Sequence, residues 1–237
     1  MGYIDLLTPA VPHPSPMHIP DGFLSGPVAG VGYALAAAFV ALAVRRTNRS
    51  LGEKSVPLMG VTAAFIFAVQ MMNFPVAGGT SGHLLGGTLA AILVGPWAAI
   101  IVMTSVVGVQ ALMFQDGGLA ALGFNVFNMG VMTALVGYSV YYLSALLANG
   151  RRGWVLPVGV FVASWLTVML AAFATSIELA LSDTSPLHVV LPAMMGVHSV
   201  IGIGEGLITA AAVTLVLATR PDLIEHGPRA APQGGVS

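Results

Sequence analysis

Apolar residues run along this chain in long blocks. They cover roughly residues 27–44, 56–74, 97–114, 121–148, 154–181 and 197–218, each near the ~20 residues that a bilayer-crossing helix needs. A shorter block occupies residues 84–96, and apolar runs of about 10–14 residues are commonly re-entrant or buried. Between the blocks stand "PVAGGTSGH", "QDGG" and "SDTSPLH", whose Gly, Pro, Asp and Ser content marks loops. The pattern predicts an all-α integral membrane protein of one domain, and no repeat recurs along it.

Composition supports that class. Hydrophobic residues make up 57% of the 237 and charged residues 7%, against about 25% charged in a soluble domain. The charges that remain set a topology. Arg45, Arg46, Arg49 and Lys54 form one group, Arg151 and Arg152 a second, and Arg220 and Arg229 a third. The positive-inside rule places all three on the cytoplasmic side. Seven crossings, one of them short, with the N-terminus outside and the C-terminus cytoplasmic satisfy this; six would leave Arg151 and Arg152 outside. The expected location is the cell inner (plasma) membrane. Residues 1–16 lack a basic start and an apolar core, so they do not read as a signal peptide. With Pro9, Pro12, Pro14 and Pro16 they read as a disordered lead or a misassigned start, followed by a membrane domain over 17–220 and a disordered tail over 221–237. Zero cysteines and a net charge of -1 exclude thiolate metal sites and give no basic excess for nucleic acid.

Candidate chemistry gathers on the expected outer side, at "MHIPDG" and "GGTSGH". If the chain starts at Met17, its amine, the His18 backbone nitrogen and His18 Nδ1 lie in sequence and close two small chelate rings around one metal. His83 supplies a fourth nitrogen. A planar or tetragonal nitrogen set favours Ni(II), Cu(II) or Co(II) over Zn, Mg and Ca, and ligand deprotonation makes affinity depend on pH. A single histidine beside a Pro-Asp-Gly turn is more commonly a helix cap or an interface residue. Two outward-facing histidines with a Gly-rich segment that permits close backbone approach favour the metal.

The stretches "MHIPDGFL", "NFPVAGGTSGHLLGG", "GPWAAIIVM", "ALGFNVFNMGV" and "GVHSVIGIGEGLIT" resemble the CbiM/NikM family, the substrate-binding membrane components of energy-coupling-factor cobalt and nickel importers. The similarity runs from Met17 to about Arg220. It implies Co(II) or Ni(II) as transported substrate, with no cofactor held by the chain. The implied ligands are the Met17 amine, the His18 amide and imidazole, and the His83 imidazole; the 16-residue lead departs from the family pattern. It also implies a scaffold membrane subunit (CbiQ/NikQ type), a pair of ABC ATPases (CbiO/NikO type), often a small accessory subunit (CbiN/NikN type), and metal release by tilting of the subunit. The chain itself is then not an enzyme, and no GxxxxGK[ST] phosphate loop occurs in it. Ala34 with Ala38 and Ala37 with Ala41 resemble the small-residue faces that related components dock on their scaffold, although such spacing also serves ordinary helix packing in lipid.

Five intramembrane polar residues stay outside the expected metal shell. His198 and Glu205, seven apart, share one helix face. Asn73, Asn125 and Asn128 are read either as orienting the N-terminal segment or His83, or as bridges between helices. The twelve methionines read as lipid-facing or core filler, and His13, His188 and His226 as solvated. Two other functions fit parts of the pattern. "GTSG" matches a rhomboid-type protease motif, with Ser81 as nucleophile and His198 as base, and a passive metal channel needs no ATPase. Cobalt and nickel are not separable, because the same four nitrogens suit both.

Overall fold

Glycines and prolines that interrupt the apolar blocks set the helix boundaries. The computed structural model describes residues 18–48, 55–71, 73–76, 80–148 and 153–224, with the backbone alone at 55, 73–76, 80 and 81. Helix α1 (Gly26–Thr47) follows Ser25 with a proline in its first turn, where a missing N–H has no intrahelical partner to lose. It ends on Arg45 and Arg46, cations suited to the C-terminal dipole. Helix α2 (Ser55–Gln70) leads into an antiparallel hairpin, β1 (Asn73–Val76) and β2 (Thr80–His83), that sets Asn73 opposite His83. Helices α3 (Gly87–Val94) and α4 (Pro96–Met113) are separated at Gly95, φ 84°, followed by Pro96. Helix α5 (Leu122–Ala148) contains a π-helical stretch at Phe127–Met132. Helices α6 (Val155–Leu181) and α7 (Leu187–Thr219) complete the bundle, and Pro221–Leu223 form one 3-10 turn.

The protein is an all-α multi-pass membrane protein. Among the described residues α1, α4, α5, α6 and α7 are long and apolar enough to cross a bilayer. Helix α3 is not: its 8 residues rise about 12 Å. It is instead buried along nearly its whole length, and Ala90, Ala91 and Ile92 are fully covered. Its one polar side chain, Thr88, hydrogen-bonds Thr167 of α6 at 2.9 Å, and nearby Ser164 of α6 meets Thr209 of α7 at 3.2 Å. Around α3 pack Ile66, Ile100, Met103, Val131 and Val168, and this close packing replaces the hydrophobic drive that lipid does not supply.

Two boundaries differ from the pattern. The block expected as helix over 56–74 leaves the helix after Gln70 and turns into the hairpin. Helix α7 starts at Leu187 rather than near 197 and runs through Pro192, which a membrane helix tolerates when neighbours satisfy the freed carbonyl. The ends of the bundle are chemically distinct. At one end the Arg46 guanidinium lies 4.9 Å over the Trp97 ring, joining the end of α1 to the start of α4. Ile224, after α7, belongs to a buried cluster with Ile92 and Tyr141. At the opposite end of α1, the segment 18–21, the hairpin and the loop after α4 come together. Arg49, Lys54, Arg151, Arg152, Arg229, His13 and His226 lie outside the described residues.

Candidate metal site

The chain enters the site along residues 18–21. Ile19 is held through its main chain: its N–H donates to Asn125 Oδ1 at 3.1 Å, and its carbonyl accepts from Asn125 Nδ2 at 3.1 Å and from Gly118 N at 2.8 Å. Asp21 Oδ1 accepts from Ala120 N at 2.7 Å. A side-chain amide facing both polar groups of one residue copies a strand pairing, so it fixes the segment irrespective of side chain. The result carries His18 inward, its side chain wholly covered. Met17 lies outside the described residues.

His83 arrives from the hairpin. The hairpin sits so close to α7 that a Cβ on Gly82 would fall 2.2 Å from Ile201 Cδ1, so any larger residue beside the histidine would have to push the end of Ile201 aside. The His18 and His83 ring centroids are 4.7 Å apart at an interplanar angle of 64°. His83 Nδ1 donates to the Leu84 carbonyl at 2.9 Å, and His18 Nδ1 lies 3.1 Å from Asp116 Oδ1 and 3.3 Å from the Asp116 carbonyl. His18 Nε2 is buried without a hydrogen-bond partner. Burial first, and the facing His18 ring second, push the His83 imidazole down to about 3, because both disfavour a proton there. His83 is therefore a neutral donor with its Nε2 lone pair available.

A cavity of about 50 Å³ opens beside the two rings, lined among others by His18, His83, Asn128, Thr175, Met194 and His198. That is room for a few water-sized species. His198 Nδ1 donates to the Met194 carbonyl of its own helix at 2.8 Å, so it too leaves Nε2 as acceptor. Asn128, on the π-helical stretch, donates to both carboxylate oxygens of Glu178 at 3.0 Å; such stretches recur at functional sites. Among the described residues no three His, Cys, Asp or Glu side chains converge as a metal site. A metal bound by the two imidazoles needs further donors from elsewhere.

A family model described as the cobalt uptake substrate-specific transmembrane region matches residues 18–223. The chain belongs to the CbiM family. A protein of Haloquadratum walsbyi named for metal transport is 41% identical over 210 residues, 88% of this chain and 93% of that one. A protein of Archaeoglobus fulgidus named as a fused nickel transport protein NikMN is 43% identical over 218 residues, 91% of this chain and 70% of its own. The crystal structure of a truncated transition metal transporter superposes with a TM-score of 0.78 at 38% identity, covering 85% of this chain and 99% of that one. Other relatives are named for cobalt transport or for nickel transport. The CbiM family is a membrane transport component and not an enzyme, and the comparisons give no support to the protease alternative built on Ser81 and His198.

Of the expected site residues, the structure brings His18 and His83 together. Asn125 acts on the N-terminal segment, one of the two roles expected of it, whereas Asn128 faces Glu178 and the cavity. The Asn73 side chain lies outside the described residues. The sequence marks Asp116 only by its place in the "QDGG" loop; an acidic residue in so charge-poor a chain is the available signal.

Proposed function

We propose that this CbiM-family chain is the substrate-capture subunit of an ATP-driven energy-coupling-factor importer of Co(II) or Ni(II). The metal takes four nitrogens: the Met17 amine, the His18 amide, the His18 imidazole and the His83 imidazole. The observation that carries this reading is the buried pair of rings with centroids 4.7 Å apart. With a metal–nitrogen distance of ~2.0 Å, a ring centroid lies roughly 3.1 Å from the metal, so cis rings stand about 4.4 Å apart and trans rings about 6.2 Å. In a planar chelate the amide sits between the amine and the His18 ring. His83 then falls opposite the amide and cis to that ring, a placement that the 4.7 Å separation supports.

The chelate uses His18 Nδ1, which here faces Asp116. A half-turn of the ring about Cβ–Cγ brings Nδ1 to the other side without moving the centroid, and loading then releases Asp116. The functional chain begins at Met17, since a preceding Pro16 would turn the amine into an amide. With α2 and the short, buried α3 completing seven passes and the N-terminus outside, the site lies on the external face and the Arg46–Trp97 end on the cytoplasmic one. The partners are a CbiQ/NikQ-type scaffold, CbiO/NikO-type ATPases and a CbiN/NikN-type accessory subunit. Fused NikMN relatives, longer than this chain, support the last. Ala34, Ala37, Ala38 and Ala41 are all exposed on α1 and form the scaffold-docking face.

The test is twofold. Calorimetric titration of the purified chain with Ni(II) and Co(II) reads capture, and vesicles holding the chain with scaffold and ATPases read ATP-dependent uptake. Absence of binding refutes the capture role, and uptake indifferent to ATP refutes the importer.

A further inference from the structure

Residues 84–86 join β2 to α3 and immediately follow His83. The two peptide planes they form are held at every polar end. The first plane carries the Leu84 carbonyl and the Leu85 N–H. Its carbonyl accepts from His83 Nδ1 at 2.9 Å, and its N–H donates to Glu205 Oε2 at 2.6 Å. The second carries the Leu85 carbonyl and the Gly86 N–H. Its carbonyl accepts from Gln70 Nε2 at 2.7 Å, and its N–H donates to Glu205 Oε1 at 3.0 Å. Glu205 comes from α7 and Gln70 from the last turn of α2, and their relative exposures are 3% and 0%.

We propose that Glu205 and Gln70 are positioning residues for metal capture, a clamp that sets the direction of the His83 lone pair. The inference rests on His83 being a ligand. The His83 ring is aimed by the Leu84 carbonyl, and that carbonyl turns only if its whole peptide plane turns. Glu205 holds the far end of the same plane. Carboxyl acceptance from the Leu85 N–H also polarises that peptide, which makes the Leu84 oxygen a stronger acceptor and Nε2 of His83 a better donor to metal. A carboxyl group at this depth is expensive and is normally retained for function. Two groups from different helices on one three-residue turn also reduce the freedom that His83 must lose on binding.

The full chain in detergent is titrated with Ni(II), and the d–d absorption band of the complex is recorded, for wild type, His83→Ala, Glu205→Gln, Gln70→Leu and Thr209→Val. Glu205→Gln keeps the shape but brings an NH2 against one of the two peptide N–H groups. It is expected to weaken Ni(II) binding by about 10- to 100-fold, the usual effect of losing an outer partner of a ligand, and to move the band toward that of His83→Ala. Gln70→Leu removes only one carbonyl partner and gives a smaller loss in the same direction. Thr209→Val removes one partner of Ser164, whose hydroxyl reaches Glu205 Oε1 only at 3.5 Å; the four bonds of the turn stay in place, and affinity and band are expected to stay unchanged. The clamp is overturned if Glu205→Gln and Gln70→Leu bind with wild-type affinity and spectrum, or if Thr209→Val weakens binding equally. Should Glu205→Gln fail to fold, a folded Gln70→Leu with wild-type affinity and band overturns it alone. If His83→Ala itself binds as wild type does, the ligand assignment falls and the clamp with it.

Discussion

Asn125→Leu tests how the N-terminal segment is held. In the native chain four hydrogen bonds dock residues 19–21, two of them between Asn125 and Ile19. The substitution keeps the branched shape of the side chain and offers neither a donor nor an acceptor. The Ile19 carbonyl still accepts from Gly118 N, but the Ile19 N–H is left buried with its acceptor gone. An orphaned buried donor costs about 1–3 kcal/mol and the second lost bond about 0.5–1.5 kcal/mol. Docking is thus weakened by roughly 1.5–4.5 kcal/mol, and at about 1.4 kcal/mol per decade Ni(II) affinity falls by roughly 10- to 1,000-fold, because an undocked His18 cannot face His83. The assay pairs calorimetric titration with hydrogen exchange of the 18–21 amides, and far-UV dichroism checks that the helices persist. Affinity within threefold of wild type, with Ile19 as protected as before, would refute the view that Asn125 presents His18.

His83→Ala should abolish tight Ni(II) and Co(II) binding while leaving membrane insertion intact, read by metal content of the purified variant. The pH dependence should not come from His83: with its imidazole pushed down to about 3, protons compete there only near that pH. Between pH 5 and 7 the amide proton and the amine proton (pKa about 7.7–8.0) are both displaced. Affinity should therefore fall by roughly 100-fold per unit as pH drops, and a flat titration over this range contradicts amine and amide ligation. Ala38→Leu on the exposed face of α1 should leave metal binding unchanged and abolish ATP-dependent uptake; unchanged uptake shows that the scaffold docks elsewhere.

Much of this molecule is legible in its sequence, and the exceptions have physical causes. The apolar blocks mark the membrane helices because lipid demands long apolar runs, and Gly95-Pro96 announces the break between α3 and α4. The hairpin is not legible: its strands hold four residues each, too few for an alternating pattern to emerge from "NFPVAGGTSGH". Helix α7 is longer than the apolar block over 197–218, because it continues through Pro192 back to Leu187. Of the site, the two histidines stand out as donors in an apolar chain. Asn125 and Glu205 stand out as well, as polar residues inside apolar blocks, but Asp116 and Gln70 do not, and the groups all four hold are backbone or ring atoms that only the folded chain brings near.

Native mass spectrometry of the protein from its own host, with metal retained, is the most direct test of capture by the Met17–His18 chelate. A single spectrum reports the chain start and the metal stoichiometry together. The expected result is one Ni(II) or Co(II) ion on chains that begin at Met17, and no metal on chains that keep residues 1–16. Metal-loaded chains that still carry Met1 to Pro16 would contradict the amine ligand, and chains beginning at Met17 that hold no metal would contradict the site itself.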